Sequence, residues 1–280
     1  NQLIQITGDL AFSEIENFNI FGGLALAGIT GIVVIGGLKR IAEVATFLVP
    51  LMGSIYFGAM LIALILNLDQ VLPAFKLIIV DAFNGTAIAG GTFFGVLIYG
   101  VRRGAFSNEA GMGTESLVHG VAKVSDPVKQ GLVAMTGPIF DTLIICTATA
   151  LMILISGVWE TSTSQGVTLT AEAFSMLLGN FGGFILFICV ICFGLSTIFT
   201  YSYYGASCSR FLFGKFGMKF YIYLYIFSIF IYSIVPIDIA INIADGAFAM
   251  MAIPTLVSAL WLAPKVMKAS KNYFKLVDNN

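Results

Sequence analysis

Apolar residues gather in seven long runs, at roughly 18–38, 44–67, 85–101, 130–157, 181–208, 218–237 and 239–263, parted by short polar stretches. A run of about 20 residues crosses a ~30 Å hydrocarbon core at about 1.5 Å per residue. Helices of a soluble core would carry a polar stripe at helical spacing, and these runs have almost none. The pattern predicts an all-α polytopic membrane protein, with about seven transmembrane helices in a single transmembrane domain over 1–280.

The breaks between runs differ in kind. Leu38–Glu43 reads as a tight turn between the first two spans, and Pro50 interrupts the second. The mixed stretch Val71–Phe83, with Pro73, Lys76 and Asp81, is too polar for a span of its own. It fits either an interfacial helix or the first half of a broken third span. Gly104–Lys129 is the longest basic-side connection, and Glu115–Ala122 within it suits a short helix. The Ser/Thr-rich stretch Glu160–Ala171 reads as a solvated loop. Tyr201, Tyr203 and Tyr204, and then Tyr221, Tyr223 and Tyr225, suit an interfacial aromatic belt.

Charge orients the runs. Lys39/Arg40, Arg102/Arg103, Arg210/Lys215 and Lys265/Lys268/Lys271 follow the first, third, fifth and seventh, whereas Asp69, Glu160 and Glu172 mark the other ends. Of 14 Lys and Arg, only Lys76 falls on the acidic side. Cytoplasmic loops collect Lys and Arg. The carboxyl terminus is therefore expected in the cytoplasm and the protein in the cell membrane. With 58% hydrophobic and 10% charged residues, no basic surface for nucleic acid can be assembled. The polar segment before the first run faces outward on this orientation, so an earlier span or leader is expected upstream. The chain then reads as the carboxyl-terminal part of a longer membrane protein.

Candidate chemistry is sparse. Cys189 and Cys192 form a C-x-x-C, but no second pair or nearby His completes a ligand set. His119, alone in a basic loop, reads as solvated. No nucleophile–base pair or metal cluster supports an enzyme.

Polar groups inside the runs carry more information. Residues 85–95 hold four glycines and two threonines. A helix broken there would free main-chain groups, which lipid tolerates only where they line a cavity or bind something. A helix emerging from Gly90 and Gly91 would aim its positive end at an anionic group such as a carboxylate; close helix packing through small residues is the other reading. In the fifth run Ser196, Thr197 and Thr200 could offer hard oxygen to an alkali cation, or bond to their own backbone. Asp141, deep in the fourth run, costs roughly 2.5–3.5 kcal/mol unless it meets a cavity, a partner or an ion. Asp238 and Asp245 lie near Pro236 and read as hydrated or capping. The segment 102–114 could be an unwound mid-membrane site with Ser107, Asn108 and Glu109 as ion ligands. Burying Arg102 and Arg103 would add several kcal/mol, which places it instead at the inner boundary as a loop or gate.

Gly37-Leu-Lys-Arg-Ile41, Phe47-Leu-Val-Pro50, Gly100-Val-Arg-Arg-Gly-Ala-Phe-Ser-Asn-Glu-Ala-Gly-Met-Gly113, Gly131-Leu-Val-Ala-Met135, Asp141-Thr-Leu143, Ser196-Thr-Ile198 and Tyr201-Ser-Tyr-Tyr-Gly205 occur in this order. Together they resemble the alanine or glycine:cation symporters, the sodium:alanine symporter family. The resemblance implies a leucine-transporter-type fold of ten core helices in two inverted repeats, with the first and sixth broken. The seven runs would be helices four to ten. Gly90, Gly91, Thr92 and Phe93 would then hold substrate on the sixth. Phe193, Ser196 and Thr197 would contribute to a sodium site on the eighth. Asp141, Thr200, Arg103, Asn108 and Glu109 remain candidates for ion binding or gating. Ala206 and Ser207 stand where the family is expected to carry an acid.

The implied function is sodium-coupled symport of a small neutral amino acid, alanine or glycine, by alternating access, with sodium as the co-transported ion. Rival readings are a related carrier with another substrate or proton coupling through Asp141, and a non-transporting membrane subunit. Neither the preferred amino acid nor the oligomeric state is legible.

Overall fold

The computed structural model describes residues 18–83, 92–109 and 111–278. Among the described residues the regular elements are all helices: α1 (Phe18–Val34), α2 (Gly37–Leu66), α3 (Leu68–Ala82), α4 (Thr92–Asn108), α5 (Thr114–His119), α6 (Pro127–Ser156), α7 (Val158–Thr161), α8 (Val167–Leu178), α9 (Asn180–Ile234) and α10 (Ile237–Asp278). Four of them, α2, α6, α9 and α10, are long and apolar enough to cross a membrane, and α1 and α8 are shorter apolar helices. The chain is a multi-pass membrane protein of the all-α class.

Two compact bodies share the chain. The first comprises 1–81 and 147–240, the second 82–146 and 241–280.

In the first body α1 lies against α9 through small residues on one stripe. Gly23, Ala27, Gly31 and Val34 are buried at helical spacing, and a Cβ on Gly23 would fall 1.9 Å from Ser233 Oγ. Without side chains in the way the backbones come close, which is how helices associate where lipid removes the hydrophobic drive. The turn from α1 to α2 lies at Ile35 and Gly36, earlier than the expected Leu38–Glu43, which are already helical. Gly37, at φ +73°, makes the reversal cheap. Arg40 then reaches back so that Nη1 donates to the Ile32 carbonyl at 2.7 Å, satisfying one of the acceptors left free at a helix end.

α9 is two arms meeting at Gly214 (φ +70°), so the turn expected between the fifth and sixth runs shrinks to a single residue. The arms pack on each other. Tyr225 Oη donates to the Ile198 carbonyl at 2.8 Å, and a Cβ on Gly205 would lie 2.0 Å from Tyr221 Oη. These two tyrosines thus face the hairpin interior rather than a lipid belt. Ala206 is buried beside them.

The stretch expected as a solvated loop at 160–171 is mostly helical. Two left-handed glycines, Gly157 and Gly166, open α7 and α8, leaving only residues 162–166 between them. Ala171, Ala173 and Phe174 of α8 are buried, and the Phe174 ring stacks on Tyr56 of α2 at 5.5 Å. The mixed stretch 71–83 forms the 15-residue α3 despite Pro73.

In the second body α10 runs well past the expected end at 263, through the lysines to Asp278. Asp245 lies two turns inside it, away from the connection at Pro236; the Asp238 side chain falls outside the described residues. His119 is not simply solvated: its Nδ1 pairs with Gln130 Nε2 at 2.6 Å and its Nε2 lies 3.7 Å from Glu115.

Candidate functional site

α4 carries no proline after Thr92 and continues through Arg102 and Arg103 to Asn108. It then stops abruptly. Glu109 has φ +55°, Gly111 +82° and Gly113 +87°, and Met112 N–H closes a turn on the Glu109 carbonyl at 3.1 Å. A side chain in the left-handed region costs roughly 1–2 kcal/mol, so Glu109 is held there by its surroundings. Such outliers mark functional positions often enough to be followed. The turn lies against α10, for a Cβ on Gly113 would meet Thr255 Oγ1 at 2.8 Å.

Opposite the break, α6 changes register. Asp126 caps its start by accepting from Val128 N–H at 2.8 Å, with Pro127 in the first turn. Pro138 cannot donate, which leaves the Ala134 carbonyl without its usual partner. From Ile139 to Cys146 the ladder widens to a π-helix. Positions five apart differ by about 140° around an α-helix; the i→i+5 register brings them to neighbouring faces. Ser107 of α4 accordingly touches both Asp141 and Cys146. Its hydroxyl donates to Asp141 Oδ2 at 2.5 Å and lies 3.6 Å from Cys146 Sγ. Thr142 Oγ1 donates to the same carboxylate oxygen at 3.4 Å and accepts from Asn108 Nδ2 at 3.0 Å.

These contacts fix the level of the break. Asp141 is fourteen residues from Pro127 and fifteen from Ser156, at the middle of the 30-residue α6. Ser107 and Asn108 are bonded there, so the end of α4 lies beside the middle of the helix α6. The Arg103 guanidinium is 5.1 Å above the Tyr99 ring, a cation–π contact. Among the ion and gating candidates, Asn108 and Asp141 are thus brought together. Glu109 stands in the break itself, Arg103 rests on Tyr99, and Thr200 belongs to the first body. Thr142 and Cys146 escaped the sequence reading; Gly137-Pro138 inside a span, just before a polar pair, was the available signal.

The remaining candidates lie elsewhere. Gly90 and Gly91 fall outside the described residues. Thr92 and Phe93 begin α4, with side chains outside the described set. Phe193, Ser196, Thr197 and Thr200 occupy two turns of α9 in the first body. Buried Ser196 donates to the Phe193 carbonyl at 2.9 Å, with its hydroxyl 4.0 Å from Met52 Sδ. Thr200 donates to the Ser196 carbonyl at 2.9 Å. Thr197 points a different way. It lines an open cavity of about 510 Å³ with Tyr56, Thr170, Val190, Phe193 and Gly194. The Phe193 ring meets Tyr56 edge-on at 5.7 Å, and Tyr56 Oη pairs with Thr149 Oγ1 at 2.8 Å.

Cys189 and Cys192 are free thiols, and among the described residues no group of three His, Cys, Asp or Glu could hold a metal.

Known proteins resemble the chain over most of its length. It is 35% identical over 273 residues to an uncharacterized transporter of Bacillus subtilis, YflA, covering 95% of this chain and 58% of that protein. It is 34% identical over 279 residues to the sodium/alanine symporter AgcS of Methanococcus maripaludis, covering 98% and 61%. With the probable sodium/glutamine symporter GlnT of Bacillus subtilis it shares 33% over 275 residues, covering 98% and 58%. The chain thus spans about three-fifths of the length of these relatives. The family model for sodium:alanine symporters matches residues 3–280. The chain belongs to the sodium:alanine symporter family, a family of membrane transporters and not of enzymes.

Proposed function

We propose that this chain forms the larger part of a sodium-coupled symporter that carries a small neutral amino acid, alanine or glycine, across the cell membrane by alternating access. The observation that carries the reading is the interruption of α4 at the midpoint of α6, beside a carboxylate. Unpaired main chain halfway along a span is tolerated where it lines a cavity or binds cargo, and broken helices of this kind form the sites of secondary transporters. The names borne by the relatives supply sodium and an amino acid as the cargo.

In this reading the seven apolar runs are spans four to ten of a leucine-transporter-type fold, one transmembrane domain with its carboxyl terminus in the cytoplasm. Residues 90–93 take part of the substrate. The Phe193–Thr197 turn contributes to a sodium site, its open flank at Thr197 awaiting ligands from outside this chain. Sodium and substrate together favour the state that closes on one side and opens on the other; the coupling is their differential affinity for the two states.

The test uses the full-length protein in proteoliposomes. Uptake of labelled alanine should follow an imposed sodium gradient at fixed pH and saturate. Competition with unlabelled glycine and glutamine ranks the substrates. Uptake that ignores sodium and follows a proton gradient would instead favour the second reading, in which Asp141 carries a proton; its mid-span position is the observation behind that alternative.

A further inference from the structure

We infer that the groove between α1 and the second arm of α9 holds an acyl chain of an anionic phospholipid, whose phosphate is taken by Arg40. The inference goes beyond the symport reading and stands whichever solute is carried.

Shape is the first ground. The two helices run antiparallel, since Ser233 donates to the Asn19 carbonyl at 3.1 Å and Gly31 faces Ile226 further along. Gly23, Ala27 and Gly31 are buried in that contact, but Gly28 is exposed, with nothing within 4 Å of a Cβ built on it. The notch opens a groove of about 680 Å³, lined by Leu24, Gly28, Ile32, Ile35, Tyr223 and Ile226. Its volume falls within the roughly 300–1,000 Å³ of ordinary ligand sites. Apolar exposure is the rule for a chain in lipid; a concave apolar surface with a cation at one end is not. Arg40 is the charged residue of that lining.

Charge is the second ground. Arg40 lies in the first turn of α2 but folds back over Gly36, where a Cβ would meet its Cδ at 2.6 Å. Its Nη1 donates to the Ile32 carbonyl at 2.7 Å. An arginine at a membrane boundary ordinarily carries its head away from apolar surface into water. This one is drawn back along α1 to the mouth of the groove. The carbonyl occupies one of several N–H donors, and the planar fork that remains matches a phosphate.

The neighbours add to that charge. Lys219 lies one turn before Tyr223 on the antiparallel arm, hence at the Arg40 end, and Lys39 precedes Arg40; both are exposed. Glu43, the only acid of α2, lies 3.9 Å from Lys39. Among the described residues no carboxylate pairs with Arg40 or Lys219. The surplus of cations suits a headgroup of net negative charge and repels the ammonium of a zwitterionic one. Basic recesses between spans take anionic headgroups in this way. A protein helix laid in the groove would fill its shape but cover Arg40 with apolar surface, stripping a charge of water without a counter-charge. A lipid brings its own counter-charge, where the apolar groove ends.

The experiment uses the purified full-length protein, delipidated in detergent and titrated with dioleoyl phosphatidylglycerol. Dioleoyl phosphatidylcholine and inorganic phosphate are the comparison arms. The rise in Tm and the lipid retained in native mass spectrometry are both read. Phosphatidylglycerol should act at concentrations about 10-fold below phosphatidylcholine, the scale set by one or two cations near a headgroup, and phosphate alone should do nothing. Arg40→Gln should erase that preference, and Arg40→Lys should restore part of it, a point charge replacing the fork. Gly28→Leu fills the groove and leaves the charge in place. It should abolish phosphatidylglycerol protection without lowering the Tm of the lipid-free protein, since leucine is the better helix former. That variant decides the matter if Arg40→Gln fails to fold through loss of its bond to Ile32. Equal response of the wild type to both lipids overturns the site, and so does protection by phosphate alone. Unchanged lipid titration in Gly28→Leu overturns it too. A lower Tm in Gly28→Leu before lipid is added would mean that a helix or a second copy fills the groove, which also overturns it.

Discussion

The serine and threonine hydroxyls of α9 and those where α4 meets α6 are used in opposite ways. On α9 they turn back to their own helix. Ser196 donates to Phe193, Thr200 to Ser196, Ser202 to Phe199, Ser228 to Tyr225 and Ser233 to Phe230, each to a carbonyl three or four residues earlier. In the second body Ser107 and Asn108 spend their bonds on another element, on Asp141 and Thr142. A hydroxyl bonded to its own backbone is satisfied in any arrangement of the helices, so it stays neutral when they shift. A bond between elements is made in one arrangement and lost in another. The contrast separates a scaffold, closed on itself through glycine and alanine contacts, from a joint. The division is not strict. In the first body Tyr56 pairs with Thr149 beside the cavity at Thr197, and Ser233 also reaches the Asn19 carbonyl of α1. In the second body Thr136, Thr255 and Ser258 bond to their own backbone.

The contrast can be broken from either side. The largest effect is expected at Gly182, where a Cβ would lie 2.1 Å from the Phe174 carbonyl oxygen, a backbone atom that cannot swing aside. Gly182→Ala should lower unfolding stability by about 3 kcal/mol, the upper end for overpacking; a Tm within a degree of wild type would mean the scaffold is looser than drawn. Next comes Asp141→Ala, which strands the Ser107 hydroxyl and should cost about 2 kcal/mol, the range for hydrogen bonds to charged groups. Urea titration of the full-length protein reads it.

A double-mutant cycle of Asn108→Ala with Thr142→Val should return a coupling of about 1 kcal/mol, typical of residues in one hydrogen-bond network. Additive effects there would remove the joint. Thr30, buried on α1 with no hydroxyl partner among the described residues, should behave in reverse. Thr30→Val is expected to raise stability by about 1 kcal/mol, because it removes an unsatisfied polar group and keeps the shape. The smallest change belongs to Ser202→Ala. Its self-bonded hydroxyl should be worth no more than about 0.5 kcal/mol, and a loss several times larger would show that back-bonding is not neutral here.

Much of the scaffold was legible in the sequence because a chain in lipid declares its spans by composition. The α9 hairpin fell between Arg210 and Lys215 as the charges suggested. α8 was not legible: Thr168, Thr170 and Glu172 interleave its apolar positions, and only Gly166 and Gly179 bound it. Asp141 could be singled out as a carboxylate inside an apolar run, whereas its partners on α4 could not, since nothing local ties Ser107 to a residue 34 positions on. The contact of Arg103 with the Tyr99 ring was not legible either, since such contacts are invisible before folding.

The single-residue corner at Gly214 has a consequence for how the protein is made. Two helical arms that meet at one residue, with only the basic stretch from Arg210 to Lys219 between their apolar parts, are expected to enter the bilayer as a pair. Tyr225, whose hydroxyl finds its acceptor on the opposite arm, is then provided for from the moment of entry. A bulkier residue at that corner would delay the pairing, and the penalty would appear during biogenesis, as degraded nascent chains, before any finished carrier could be assayed.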